Sequence, residues 1–178
     1  MGGERTRVLR RLLLLRHAEA AGGKPDLADH DRTLARRGRA AATRIGAYMA
    51  SRGYVPSQVL CSSSRRTQET FECLVPALGA TPELEVLPDL YLASPGTLMS
   101  CIKSAPDAAT TLLVIAHNPG IAVLASELAV RGEPALRARV GAQFPTAALA
   151  VFASDSPGWR TFESELIDFA CPRDLPEE

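Results

Sequence analysis

Three histidines occur among the 178 residues, and two of them close apolar runs. His17 follows Leu12-Leu13-Leu14-Leu15-Arg16, and His117 follows Thr111-Leu112-Leu113-Val114-Ile115-Ala116. Polar residues crowd the same points, with Arg16 and Glu19 at the first run and Asn118 at the second. A third apolar stretch, Val59-Leu60-Cys61, opens into Ser62-Ser63-Ser64-Arg65-Arg66. If each run is a strand of one α/β sheet, the three polar ends meet along its carboxyl edge, where open sheets of this class bind ligands. Two imidazoles and several guanidiniums then share one place.

That set of groups suits a phosphoryl unit. Guanidinium forks match phosphate oxygens two at a time and stay charged, while nearby positive charge favours the neutral, nucleophilic form of an imidazole. Attack by a histidine nitrogen on phosphorus gives a phosphohistidine, which water hydrolyses. The transition state spreads charge over the equatorial oxygens, so positioned cations supply most of the acceleration. Neither a metal nor a cofactor is expected. The bland alternatives are His17 as a hydrogen-bonded core histidine and His117 as a cap on a strand end; delivery of both to one edge by separate segments favours the chemical reading. Ser62 either contributes to the phosphate pocket or caps the following helix. Glu19 either donates a proton or holds an arginine.

The elements that must position these residues are written in the hydrophobic pattern. The continuous apolar run of residues 10–16 suits a strand buried on both faces. A loop over 20–31 follows, with Gly22, Gly23 and Pro25. Leu34, Ala41, Ile45, Tyr48 and Met49 recur at helical steps, which predicts a helix over 33–52 closed by Gly53. Arg36, Arg37, Arg39 and Arg44 fall on its other face and read as a solvated surface, and His30 reads as a surface loop residue. Strands are expected at 59–61, 84–87, 111–116, 147–153 and 159–169, and helices at 65–78, 97–104 and 121–130. Strands alternating with helices imply an α/β three-layer sandwich, a mainly parallel central sheet flanked by helices. No linker or repeat divides the sequence, so a single domain over 1–178 is the simplest reading.

Composition narrows the remaining classes. The chain is 46% hydrophobic and 22% charged, with 20 basic residues balancing 20 acidic ones, so nothing draws the whole molecule to nucleic acid or to an anionic membrane. The apolar runs are far shorter than the ~20 residues of a spanning helix, and the first is stopped by Arg16-His17 too early for a secretory signal. A cytoplasmic protein is expected. Cys61, Cys73, Cys101 and Cys171 show no paired spacing and read as reduced core residues. His17-x-Glu19 echoes half of a zinc deaminase signature, but the P-C-x-x-C half is missing. Nucleotide-binding and serine-hydrolase motifs are also missing.

Taken together, Leu15-Arg16-His17-Ala18-Glu19, Asp29-x-x-Arg32-Thr33-Leu34, Arg37-Gly38, Ser62-Ser63-x-x-Arg66-x-x-Glu69-Thr70 and Ala116-His117-Asn118-Pro119 resemble the histidine phosphatase superfamily. Within that phosphoglycerate-mutase-like group they are similar to the small bacterial phosphohistidine phosphatases. The resemblance implies that His17 is the nucleophile, that Arg16 and Arg66 clamp the phosphate, and that His117 donates a hydrogen bond to it. Arg65 is the alternative to Arg66, since one residue of offset turns the two apart on a helix. Arg32 and Asp29 match a loop pair beside the family's site. The chain departs from the family at Glu69, where glutamine is usual, and at Ser63, where proline is common.

Larger relatives protonate an alkoxide leaving group with an acid from an insertion. This chain has only Leu87-Pro88-Asp89-Leu90-Tyr91 in that region. Imidazole departing from a protonated phosphohistidine needs less help. The expected substrate is therefore phosphohistidine on a phosphorylated protein, the histidine-phosphotransfer type included, or else a small phosphate compound. A phosphomonoesterase or mutase of the same superfamily is the enzymatic alternative. A non-catalytic phosphate-binding module is the alternative of another class.

Overall fold

The computed structural model describes residues 9–176, so the ends of the expected domain, with most of the N-terminal segment weighed as a signal, lie outside the described residues. At its centre is a six-stranded sheet. β1 (Arg10–Arg16), β2 (Gln58–Ser62), β3 (Glu83–Leu87) and β4 (Thr111–Ala116) are parallel, in the spatial order β3-β2-β4-β1. β5 (Leu149–Ser154) adds antiparallel to β1, and β6 (Glu165–Ala170) antiparallel to β5.

Leu12, Leu13, Leu14 and Leu15 are wholly buried, because successive side chains on a strand point to opposite faces and both faces are covered. Leu13 and Leu15 pack with Ile45 and Met49 of α1 (Arg36–Ser51) and Leu74 of α2 (Arg65–Leu78). Leu12 and Leu14 pack on the other face, in a cluster shared with α3 (Pro95–Ser104), α4 (Gly120–Leu128) and α5 (Pro134–Ala142). Each such leucine contributes about 1.5–3 kcal/mol of transfer free energy. The three-layer α/β arrangement and its mainly parallel sheet are thus as expected. Among the described residues, no helix is long and apolar enough to cross a membrane.

Three readings need correction. Helix α5 was not expected; only Val140 is buried along it, so it carries almost no apolar period. The last strand starts at Glu165 rather than 159, because Trp159 opens a short 3-10 turn and buries its indole, whose N–H donates to the Ala109 carbonyl at 2.9 Å. All four thiols are free, but Cys73 and Cys101 are half-buried on helices rather than core residues like Cys61 and Cys171.

Two glycines bring loops close to helices. A Cβ at Gly38 of α1 would lie 2.1 Å from the Glu19 carbonyl oxygen, and one at Gly120 of α4 would lie 2.0 Å from that of Ala93. The first contact seats the loop after His17. The second seats the loop that carries Tyr91.

Candidate active site

β2, β4 and β1 are neighbours, so their carboxyl ends open onto one place. β1 delivers Arg16 and His17, β4 delivers His117, β2 delivers Ser62, and the first turn of α2 delivers Arg66. The His17 and His117 rings lie 5.1 Å apart. Nδ1 of His17 is 2.7 Å from the Ala18 carbonyl, and a carbonyl only accepts, so Nδ1 carries the proton. Nε2 keeps its lone pair, and the Arg66 Nε–H donates to it at 3.3 Å. Burial, reinforced by the Arg66 and Arg16 charges, outweighs the Ala18 bond and lowers the His17 pKa to about 4. The ring is neutral at pH 7.

His117 is 2% exposed. Burial, then the His17 and Arg66 charges, lowers its pKa to about 3. Its Nε2 lies 2.7 Å from Ser62 Oγ, and its Nδ1 3.4 Å from Nη2 of Arg66. Ser62 therefore positions His117 and does not cap α2. Ser64 occupies the cap position, with its hydroxyl on Thr67 Oγ1 at 2.8 Å.

Arg65 and Arg66 diverge as one residue of helical offset requires. Arg66 enters the site, its side chain 5% exposed, with Nη1 donating to the Asp29 carbonyl at 2.6 Å and Nη2 to Asp29 Oδ2 at 3.0 Å. Arg65 turns outward to Glu69, 2.9 Å away. Glu69 is buried and also accepts from the Leu34 amide and from Arg39, each at 2.7 Å. Burial pushes its pKa up, but the Leu34 amide and the two arginines outweigh that and leave it lowered. This is where the departure from glutamine leads: the carboxylate ties α2 to α1, and Arg39 belongs to that tie rather than to a free solvated face. Thr70 fastens the other side, its hydroxyl accepting from the Ala18 amide at 3.0 Å and donating to the Arg66 carbonyl at 2.7 Å.

Arg16 is the group with donors to spare. Its Nη1 donates to the Phe144 carbonyl at 3.0 Å, a carbonyl that Asn118 Nδ2 shares at 2.9 Å. Its Nε is buried without a partner, and it makes no ion pair among the described residues. Burial lowers its pKa.

The remaining expected residues divide. Asp29 sits at the mouth, its Oδ2 accepting from Tyr91 and Arg66 and its Oδ1 from Arg32 at 3.1 Å. Arg32 spends its other donors on the Ala21 carbonyl and supports the loop. Glu19 pairs with the exposed Arg37 and so holds an arginine in this structure. Sequence reasoning missed Tyr91 as a site residue and placed His30 on the surface. Both lie at the mouth in a 4.9 Å edge contact, and the Tyr91 ring lies 5.4 Å from that of His117.

Residues 12–92 match the family model of the histidine phosphatase superfamily (branch 1). An uncharacterized protein of Mycobacterium leprae is 34% identical over 166 residues, which span 89% of this chain and 100% of that relative. The chain belongs to the histidine phosphatase superfamily. Its structure is similar to SixA from Agrobacterium tumefaciens, named as a candidate phosphohistidine phosphatase, at 29% identity and a TM-score of 0.79, covering 92% of this chain and 98% of that one. The protein histidine phosphatase SixA complexed with tungstate shares the fold, with a TM-score of 0.76 at 22% identity over 92% and 98% of the two chains. Within the histidine phosphatase superfamily, this chain falls in the SixA-like branch.

Proposed function

We propose that this chain is a phosphatase that works without a metal, through a phosphohistidine at His17, and removes phosphoryl groups from phosphohistidine on proteins. The observation that carries this reading is Arg16. A buried, unpartnered guanidinium nitrogen is expensive unless an anion completes it, and this one stands beside a neutral imidazole whose Nε2 lone pair is free of a proton.

The step is an in-line displacement. Nε2 of His17 forms the bond to phosphorus as the bond to the leaving atom breaks, and Arg16 and Arg66 take the equatorial oxygens. The Ala18 carbonyl, accepting from Nδ1, steadies the positive charge that develops on the ring. Arg66 only donates, so Nδ1 of His117 accepts from it and Nε2 donates to Ser62; once the phosphoryl oxygens take up the Arg66 donors, Ser62 can donate to Nε2 instead and Nδ1 can present a proton to a phosphoryl oxygen. Water then attacks phosphorus, releasing phosphate and restoring His17.

The SixA neighbours support a phosphoprotein substrate. So does the chemistry at the mouth: the Tyr91 hydroxyl, then the arginines, hold Asp29 far below the usual carboxylate range, so it stays ionised and has no proton for an alkoxide. Imidazole from a phosphohistidine protonated on its far nitrogen leaves as a neutral molecule and needs none.

The test is to incubate the protein with a ³²P-labelled phosphohistidine protein and quench it. Acid-labile label is expected on His17, and turnover in His17→Ala should fall by roughly 10³-fold or more. EDTA should leave turnover intact. A fully active His17→Ala variant would overturn the mechanism, and phosphate binding without release would make the chain a binding module.

A further inference from the structure

Four rings run outward from the centre of the site. His17 and His117 lie 5.1 Å apart, His117 and Tyr91 5.4 Å, and Tyr91 and His30 4.9 Å. The inner pair is buried, His17 at 9% and His117 at 2%, and the outer pair is more open: Tyr91 is half-buried and the His30 side chain is 41% exposed. The outer two rings are fixed in place. The Tyr91 hydroxyl donates to Asp29 Oδ2 at 2.7 Å, and the Arg66 guanidinium lies over its ring, 5.9 Å from the centroid. His30 Nε2 lies 3.0 Å from Ser63 Oγ, and its Nδ1 3.3 Å from Asp31 Oδ1.

An in-line displacement sends the leaving group away from the nucleophile. With His17 buried at one end, the departing group points to the exposed end, where Tyr91 and His30 stand. We propose that these two rings form an aromatic mouth that receives a flat leaving group and makes the site selective for phosphoryl groups carried on planar rings, imidazole above all. This rests on the phosphatase reading for the direction of departure and adds the feature of the substrate that the mouth selects. A flat ring meets Tyr91 and His30 edge-on or offset, contacts worth more than the area they bury, and a protonated phosphoimidazole adds cation–π attraction to Tyr91. A saturated alkyl group offers neither.

Titration calorimetry with three non-hydrolysable phosphonates tests the mouth without turnover. Phenylphosphonate is flat, cyclohexylphosphonate is apolar but not flat, and methylphosphonate has no ring. Wild-type protein should bind phenylphosphonate roughly tenfold tighter than methylphosphonate, with cyclohexylphosphonate within about threefold of methyl. Tyr91→Leu should shrink the phenyl preference to about twofold. Tyr91→Phe keeps the ring and should keep the preference, although it removes one of the three side-chain bonds to the Asp29 carboxylate. His30→Ala, at a partly exposed position, should cost roughly threefold, and thermal unfolding checks that each variant folds.

Equal phenyl and methyl affinity in wild type overturns the proposal, as does no binding of any phosphonate. So does cyclohexyl binding as tight as phenyl, or a phenyl preference that survives Tyr91→Leu. Phosphohistidine hydrolysis with no phenyl preference removes the mouth and leaves the phosphatase. A phenyl preference that Tyr91→Leu abolishes, in a protein that does not hydrolyse phosphohistidine, leaves the mouth and removes the phosphatase.

Discussion

Strand β1 carries an arginine at each end, and the two are opposites in their bonding. At the amino end, Arg10 is 4% exposed and donates to the carbonyls of Asp107, Ala109, Ser156 and Pro157 at 2.6–3.2 Å, with its guanidinium 5.5 Å from the Trp159 ring centroid. At the carboxyl end, Arg16 gives one bond to Phe144 and keeps Nε unpartnered. One arginine closes the bottom of the sheet by satisfying loop carbonyls. The other is held half-finished where phosphate is proposed to bind. Burial alone does not mark a functional arginine, nor does an unspent donor, since the buried Nε of Arg11 is unpartnered too; an unspent donor beside a neutral imidazole does.

Arg16→Met probes the unfinished end. Loss of a cation aimed at the transition state should lower kcat/KM by roughly 10²–10³-fold, with little change in the unfolding midpoint. Steady-state kinetics beside urea unfolding separates the two effects, and a large loss of stability with near-normal turnover would erase the contrast.

Arg10→Met probes the finished end and should do the reverse. Stranding buried carbonyls costs about 1–3 kcal/mol of stability, while kcat of the folded protein should change less than twofold. A kcat collapse in folded Arg10→Met would show the two ends to be coupled.

A further effect is in pH. The folded pKa values of His17 and His117, about 4 and about 3, lie below the ordinary 6.5, so between pH 6.5 and about 4 the unfolded chain binds protons that the folded one does not. Stability therefore falls as pH drops through that window. The melting temperature should decline from pH 7 to pH 4, and His117→Asn should flatten the slope. Activity of the free enzyme should persist well below pH 6 and fail near pH 4, as His17 protonates.

The same contrast explains what was legible in the sequence. Arg16, His17, Ser62 and His117 each end an apolar run or stand one residue past it, and strand periodicity locates run ends. Arg66 came from the resemblance and its divergence from Arg65 from one residue of helical offset, but which of the two enters the site needed the coordinates, because Glu69 lies buried between α1 and α2 and draws Arg65 and Arg39 to itself. Tyr91 and His30 sit in loops, where no period aligns a side chain with a distant strand. Arg10 was read only as the start of a strand, since its carbonyl partners lie about 100 and 150 residues away.

The Phe144 carbonyl has a consequence of its own. It is one oxygen gripping the tips of two different strands, Arg16 of β1 and Asn118 beyond β4, and it hangs just past α5, the helix with the weakest sequence signal. The width of the gap between the two imidazoles is thus gauged by a segment that contributes no group to it. Divergence among descendants of this chain in residues 134–144 is a route to resizing the cleft for bulkier or slimmer cargo while every reactive side chain stays the same.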